Sequence, residues 1–390
     1  MATVRFSDEL KRDIKSNAED MFSNKLKKAD VNVPISFDPN TIYGLLFKDH
    51  LTQMDAMPDG YFDMDNSFII SGIRNGGIPD DMYQRGQIHM DMKRKRPWPR
   101  SMNAGVHGLA NDRRSSYGTI TLNANGNITL SGLETTNNTR QAATITSTSG
   151  SLLGSDVTGD NDIEANAANA VVTINTATGI GTTQTPLKTD IATLKASVTG
   201  DVNLVEANAV TLSGLTTQSG NITLTAGEIN VASVNAGSDG NVSLTANGAI
   251  NDADDAATDI TGNDVSLAAG TTIGADDNEI SLAAVSLTTE SGSAQHLSET
   301  DAVTFTSVTT QGGNITLTAG EINVVSVNAG SIGNVSLTAT GAINDADDAA
   351  TDITGNDVSL TAETTIGADG NAISLAAVSL TTESGSAQHL

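Results

Sequence analysis

The densest group of carboxylates in the sequence occurs twice, 93 residues apart. Calcium prefers several oxygen ligands around one point, and a loop that folded back on itself could supply them here. Both copies lack the glycine and terminal glutamate of an EF-hand loop and the glycine-rich nonapeptide of calcium-binding β-rolls, so a solvated acidic loop is the favoured alternative. We predict no cofactor besides this calcium. The candidate ligands are Asp252, Asp254, Asp255 and Asp259 in one copy and Asp345, Asp347, Asp348 and Asp352 in the other.

Two histidines, His296 and His389, each follow the segment Ser-Gly-Ser-Ala-Gln. Glu290 or Glu299 could orient His296 for hydrolysis. The sequence shows neither a Gly-x-Ser-x-Gly elbow nor an Asp-His pairing that would support this chemistry. A structural position in a repeated coil is therefore the favoured interpretation of both histidines.

Enzymes that act on polysaccharides form a third class of candidate function. They require converging carboxylates or cations and an aromatic platform for the sugar. Residues 117–390 contain only two aromatic residues, Tyr117 and Phe305, and only three cations. We therefore predict that the protein is not an enzyme.

One basic cluster lies in the first part of the chain. Cations beside an aromatic ring can contact phosphates and stack on bases, so an anionic surface or a nucleic acid is one interpretation. The favoured alternative is a solvated linker or a contact with an acidic subunit, because one short run makes few phosphate contacts. The cluster consists of Lys93, Arg94, Lys95, Arg96, Trp98 and Arg100.

Charge divides the chain near residue 116. Only three of the 20 Lys and Arg residues follow this point, whereas 30 of the 46 Asp and Glu residues do. This sign of charge argues against binding of nucleic acid or an anionic membrane by the second part. The sequence has no cysteine and therefore no disulfide or thiolate metal site. Residues 1–10 lack the apolar stretch of a secretion signal, and no apolar run is long enough to predict a transmembrane helix.

The second part of the chain is organised by a repeat of 93 residues. Residues 216–297 align without a gap with residues 309–390, and only eight of these 82 positions differ. We predict about three copies: a diverged one to residue 215, then 216–308 and 309–390. Similarity at a fixed period is typical of solenoids and other repeat architectures. The last copy stops in mid-repeat, which indicates a fragment or an end covered by other chains.

Short alternating segments such as Asn221-Ile-Thr-Leu224 recur within each copy. Their two apolar residues point to one face, while Thr or Ser points to the other. Single inward aliphatic residues favour a narrow, layered interior, and Gly and Asn suit its tight corners. We therefore predict a mostly β fold, a parallel β-helix or solenoid, over residues 118–390. The aliphatic anchors predict four or five coils per period; they are Ile222, Val242, Val265, Ile280, Val303 and Ile315.

The first 102 residues predict a small α+β docking domain of different composition. Ser7 can cap a first helix, and Asp38 before Pro39 can begin a second one. The apolar run at 67–71 predicts a short strand. Residues 103–117 are rich in Gly, Asn, Ser and Arg and predict a hinge.

Several units of the second part resemble the degenerate repeats of filamentous-haemagglutinin-like proteins, which are bacterial surface and secreted β-helix adhesins. The units are Gly220-Asn-Ile-Thr-Leu-Thr-Ala-Gly227, Gly248-Ala-Ile-Asn-Asp252, Thr272-Ile-Gly-Ala275 and Ser298-Glu-Thr-Asp-Ala-Val303. The resemblance covers about 270 residues and implies a right-handed β-helix with an adhesive or spacer role. That family normally begins with a secretion signal and a secretion domain, and neither is visible in this sequence.

The start of the chain resembles virion structural proteins of tailed bacteriophages, in Val4-Arg-Phe-Ser-Asp-Glu-Leu-Lys-Arg-Asp-Ile14 and Gly60-Tyr-Phe-Asp-Met-Asp65. The two resemblances together imply a non-enzymatic structural or adhesive protein. Residues 1–102 would dock onto other virion proteins and carry a projecting solenoid, in a virion appendage or a capsid- or tail-associated fibre, with a homotrimer as the expected assembly. The alternative is a fragment of a haemagglutinin-like adhesin, secreted or at a bacterial cell surface, whose partner is a cell-surface receptor or glycan.

Overall fold

The computed structural model describes residues 119–155, 161–253, 258–346 and 351–390, together with the backbone of 101–105 and 113–115. These residues form β-strands and no helix. This part of the chain accordingly has no helix that could cross a membrane. The predicted α+β domain lies outside the described residues, apart from its last two positions.

The 29 strands are short, and most have three to six residues. In chain order they are β1 Ser101–Gly105, β2 Arg113–Ser115, β3 Thr119–Ala124, β4 Ile128–Leu130, β5 Leu133–Thr135, β6 Ala143–Ser147, β7 Leu152–Gly154, β8 Ile163–Ala165, β9 Val171–Thr176, β10 Leu187–Ile191, β11 Thr193–Val198, β12 Val202–Glu206, β13 Ala209–Thr217, β14 Ile222–Ala226, β15 Glu228–Val231, β16 Val234–Asn235, β17 Val242–Ala246, β18 Ile250–Asp252, β19 Ile260–Ala269, β20 Ile280–Ser291, β21 Gln295–Glu299, β22 Ala302–Thr310, β23 Ile315–Ala319, β24 Glu321–Val324, β25 Val327–Asn328, β26 Val335–Ala339, β27 Ile343–Asp345, β28 Ile353–Ala362 and β29 Leu375–Ser384.

These strands build a parallel β-solenoid of about 11 turns between residues 120 and 384, which confirms the predicted fold class. The coil made by β14, β15 and β16 shows the plan, because it has three strand segments joined by corners. Each segment pairs in parallel with the coil before it and the coil after it. Backbone hydrogen bonding is therefore satisfied between coils, and each coil packs only against its neighbours.

The predicted alternation decides which side chains form the interior. In β14 the side chains of Ile222 and Leu224 are buried, whereas Thr223 and Thr225 are exposed. The same pattern recurs in coil after coil, so that the buried aliphatic residues form one continuous core. Burial of each Val, Leu or Ile side chain contributes roughly 1.5–3 kcal/mol, and the stack draws its stability from many such small layers.

The 93-residue repeat does not contain a whole number of coils. Ile222 begins a stack of aligned residues, here called row A, and its repeat counterpart Ile315 lies in another stack, row B. The register defines row A as Ile222, Val242, Val265, Leu287 and Phe305. It defines row B as Ile229, Ile250, Ile273, Gln295 and Ile315. One repeat thus spans four coils plus one strand segment, and successive copies are rotated by about a third of a coil.

Row A corrects part of the predicted anchor series. Val242 and Val265 follow Ile222 as predicted, but the next residue in this row is Leu287 and not Ile280. The reason is a detour at 274–279, which Ala275 and Asn278 close through an antiparallel bridge. After the detour the chain resumes at Ile280 opposite Leu297, beside row B.

The eight substitutions between the two near-identical copies all lie outside the core. None of the sixteen residues at these positions is buried, although the two copies face different directions around the axis. The pairs are Ser219 and Gly312, Ala232 and Val325, Asp239 and Ile332, Asn247 and Thr340, Ala268 and Thr361, Gly270 and Glu363, Asp277 and Gly370, and Glu279 and Ala372. The interior of the second copy therefore repeats that of the first without change.

The stack includes two strands that precede residue 118. β1 pairs with β3 in parallel, and β2 pairs with β5. Both strands lie at 101–117, where the sequence predicts the end of the first domain and the hinge.

Candidate functional site

The predicted calcium ligands include two carboxylates that hold adjacent coils together. Asp259 and Asp352 are each 1% exposed. Asp259 accepts the backbone N–H of Ser281 at 2.7 Å, and Asp352 accepts that of Ser374 at 2.6 Å. A buried carboxylate that accepts a backbone N–H of the next coil serves to align the two coils.

The remaining predicted ligands are not brought together by the described residues. Asp252 and Asp345 end strands β18 and β27. Asp254, Asp255, Asp347 and Asp348 lie outside the described residues. Within the described segments, no group of three or more His, Asp or Glu side chains forms a metal-ligand set. Calcium binding at these two loops stays a prediction.

The structure pairs His296 with an acid that the sequence did not single out. The Nδ1 atom of His296 lies 3.1 Å from Oδ1 of Asp276, and the same pair recurs between His389 and Asp369 at 3.3 Å. The expected absence of an Asp-His pairing is therefore wrong. The detour at 274–279 carries Asp276 outward beside the strand that holds His296, a proximity that no linear motif reveals.

This Asp-His pair lacks the setting of a catalytic dyad. The side chain of Asp276 is 90% exposed, so water competes for its charge. We expect Asp276→Asn to change the free energy of unfolding by less than about 1 kcal/mol, as is usual for exposed ion pairs. Urea denaturation at pH 6 checks this value, with the neighbouring exposed Asp277→Asn as the matched control. A much larger loss for Asp276→Asn alone would show that the pair organises the detour.

The most strongly buried acid of the diverged copy, Glu206, forms a hydrogen-bonded hub inside a corner. It is 4% exposed. Its carboxylate accepts the hydroxyl of Thr189 at 2.7 Å and the backbone N–H groups of Ile191 and Asn208 at 3.1 and 3.2 Å. Burial raises the pKa of Glu206 to about 7; the three hydrogen bonds oppose this rise, and the charge of Asp190 adds to it.

Glu299, 93 residues further on, forms the equivalent hub. It accepts the backbone N–H groups of Ala284, Thr300 and Asp301 at 2.8, 2.9 and 3.4 Å. Burial raises its pKa as well, against these hydrogen bonds, and Asp301 contributes to the rise. Glu299 therefore caps a corner and does not face His296, the residue with which the sequence suggested a pairing.

The sequence carried a signal for both hubs that motif reading missed. In β12 the inward positions are Val202, Leu204 and Glu206, two residues apart. In β21 the same alternation makes Glu299 an inward residue. A charged residue in the inward phase of a strand is expected to be buried and hydrogen-bonded, so the phase alone marks these acids.

A ladder of Asn and Asp side chains follows one outer corner of the solenoid. Oδ1 of Asp201 accepts the backbone N–H of Asn221 at 2.8 Å, and Oδ1 of Asn221 accepts that of Asn241 at 2.9 Å. The next copy repeats the contact between Asn314 and Asn334 at 3.0 Å. The Asn-x-Thr and Asn-x-Ser segments therefore act as corner caps that align successive coils.

The basic cluster at 93–100 lies outside the described residues, so a contact of this cluster with an anionic surface stays a prediction. Comparison with known protein families, curated proteins and solved structures finds no match to this chain.

Proposed function

We propose that the protein is a non-enzymatic structural or adhesive protein, in which the solenoid acts as a spacer carried by an N-terminal docking segment, residues 1–102. The phage-like start of the chain favours a virion appendage, a capsid- or tail-associated fibre in contact with other virion proteins. A homotrimer is the assembly we expect for such an appendage.

The observation that carries this proposal is what the repeat adds to the molecule. The copy at 309–390 reproduces the buried residues of 216–297, and all eight differences lie outside the core. Each coil packs only against its neighbours, so a further copy lengthens the stack without requiring new packing elsewhere. Length and a repeated outer surface are the properties that such a duplication changes, and both belong to a spacer or an adhesive fibre.

A bacterial surface adhesin is the second candidate, and the outward hydroxyl groups favour it. Thr223 and Thr225 of β14 recur as Thr316 and Thr318 of β23, about a third of a coil further round the axis. Two copies of one surface can bind a receptor or glycan in two places, and linked sites raise the overall affinity.

A polysaccharide-acting enzyme is the third candidate, and the position of Phe305 argues against it. The ring of Phe305 is fully buried in row A. It cannot form the exposed aromatic platform on which such enzymes hold a sugar.

The test removes one repeat. A variant that lacks residues 216–308 joins Leu215 to Thr309, the copy of Thr216, so that every following coil meets its usual neighbour. We expect this variant to keep its β-rich circular dichroism spectrum and to be shorter by about 20 Å, or four to five layers. X-ray scattering of the two purified proteins checks the change in maximum dimension.

The functional arm of the test uses electron microscopy. Gold-labelled antibody against residues 375–390 should mark the outside of purified virions and move inward in the shortened variant. Label on bacterial cells and not on virions would replace the virion proposal by the adhesin. Release of reducing sugar ends from a polysaccharide by the purified full chain would overturn both.

A further inference from the structure

The outermost strand of the stack, β29, presents a face that its own repeat counterpart keeps covered. β29 is the copy of residues 282–291 in β20, and both strands pair with the preceding coil in the same register. Leu287 of β20 is fully buried, whereas its copy Leu380 is 43% exposed. The described residues place no strand on the far side of β29.

The near-identical copy shows which kind of segment fits this face. β22, Ala302–Thr310, covers β20 as a parallel strand. Its Phe305 lies over Leu287, and its Val308 lies over Thr289. Both side chains are fully buried in that position. Because β29 repeats the sequence of β20, a strand with the alternation of β22 would place the same side chains over Leu380 and Thr382.

Two polar groups of the last coil match the same incoming segment. Gln295, in the covered copy, donates from Nε2 to the carbonyl oxygen of Thr309 at 2.8 Å. Its counterpart Gln388 keeps the hydrogen bond from Thr382 at 2.7 Å, yet Gln388 is exposed and has no such carbonyl beside it among the described residues. An incoming strand would supply that carbonyl.

The second polar group is a backbone N–H. Glu299, just before β22, accepts the N–H of Ala284 at 2.8 Å. Ala377 is the copy of Ala284 and is exposed. A glutamate at the start of the incoming segment would accept the N–H of Ala377 in the same way.

We propose that the face of β29 is a docking surface for an extended segment of another polypeptide, which adds as a parallel strand in the register that β22 adopts on β20. The partner has a glutamate followed by inward apolar residues at the positions of Val303, Phe305 and Val308, with Thr or Ser between them. Strand addition of this kind takes affinity from main-chain hydrogen bonds and specificity from alternate side chains. The proposal depends on stacking alone and stands or falls apart from the proposed spacer function.

The probe is a fluorescein-labelled synthetic peptide with the sequence of residues 298–311, titrated with the full chain in an anisotropy assay. We expect saturable binding with one peptide per chain. Leu380→Asp should weaken it at least tenfold, because a buried unpaired carboxylate would face the phenylalanine. A peptide carrying Phe305→Asp should bind at least tenfold more weakly as well.

Val378→Asp is the matched control. Val378 is 81% exposed, and its copy Val285 remains 61% exposed beneath the covering strand, so the docked segment does not contact this position. Binding by the Val378→Asp protein should equal that of the unmodified chain. Absence of saturable binding, or equal losses for Val378→Asp and Leu380→Asp, would overturn the proposal.

A second measurement does not depend on peptide solubility. Residues 298–311 are appended after Leu390, where the joint recreates the sequence around Leu297. We expect amide hydrogen exchange of residues 375–384 to slow at least tenfold, and the same extension with Val303, Phe305 and Val308 changed to Asp to leave exchange unchanged. Equal exchange in the two extended chains would contradict docking.

Discussion

Gly220→Ala is expected to destabilise the solenoid by about 3 kcal/mol or more, in the range of severe overpacking. A Cβ atom at this position would lie 2.1 Å from the carbonyl carbon of Gly200 and 2.5 Å from the backbone nitrogen of Asp201. Both atoms belong to the backbone of the previous coil and cannot move aside as a flexible side chain would. The two coils would have to separate, which would weaken the hydrogen bonds between β12 and β14.

Urea denaturation measured by circular dichroism checks this prediction. Gly126→Ala is the matched control, because a Cβ atom there meets nothing within 4 Å. It should change stability by no more than about 0.5 kcal/mol in either direction. Gly313→Ala should reproduce the loss in the next copy, since its Cβ atom would lie 2.2 Å from the backbone of Ser293. Similar stabilities for Gly220→Ala and Gly126→Ala would show that coil spacing is more adaptable than the close approach implies.

Glu206→Gln is expected to make the solenoid more stable than the unmodified chain at pH 8 but not at pH 4. The folded protein raises the pKa of Glu206 to about 7 from an ordinary value of 4.5. Between these values the folded state holds more protons than the unfolded state, so stability falls as pH rises. The neutral acid's contribution is complete below pH 4.5 and lost above about pH 7, with an upper limit of about 3 kcal/mol.

A glutamine keeps most of the hub without a charge. Its oxygen can accept the N–H groups of Ile191 and Asn208, and its amide can donate to the hydroxyl of Thr189. The difference in unfolding free energy between Glu206→Gln and the unmodified chain should therefore grow from pH 4.5 to pH 7 and then level off. Urea denaturation across pH 4 to 8 gives this difference, and the other acids cancel in the comparison.

Two further variants test whether burial causes the effect. Glu299→Gln should show the same direction of pH dependence, because burial also raises the pKa of Glu299. Glu290→Gln removes an exposed carboxylate and should show little difference across this range. A pH-independent difference for Glu206→Gln would mean that Glu206 is ionised in the folded protein throughout.

The alternation of residues was enough to predict what each short strand buries. In β14 the spacing of Ile222 and Leu224 predicts one inward face, and the structure confirms it. The same rule predicts the first anchors of row A, Val242 and Val265, because coils of 20 and 23 residues return the chain to the same row. Side-chain direction in a strand is a local property with a period of two, so a linear sequence contains it.

The relation between coils could not be obtained in this way. Ile315 is the sequence copy of Ile222, yet it stacks on Gln295 in row B. Coil lengths and corner shapes add up along the chain, and one detour, at 274–279, is enough to move Ile280 out of the predicted series. The same detour brings Asp276 to His296, a pairing of residues 20 positions apart that no motif encodes.

The sequence by itself therefore determined the repeat, the parallel solenoid and the inward residues, because near-identical copies and two-residue alternation are local signals. Only the tertiary structure decided that successive copies turn by about a third of a coil, that Asp259 and Glu206 cap neighbouring backbone, and that β29 exposes the face that β22 covers on β20. These features depend on the register between coils, and register is set by the whole path of the chain around each turn.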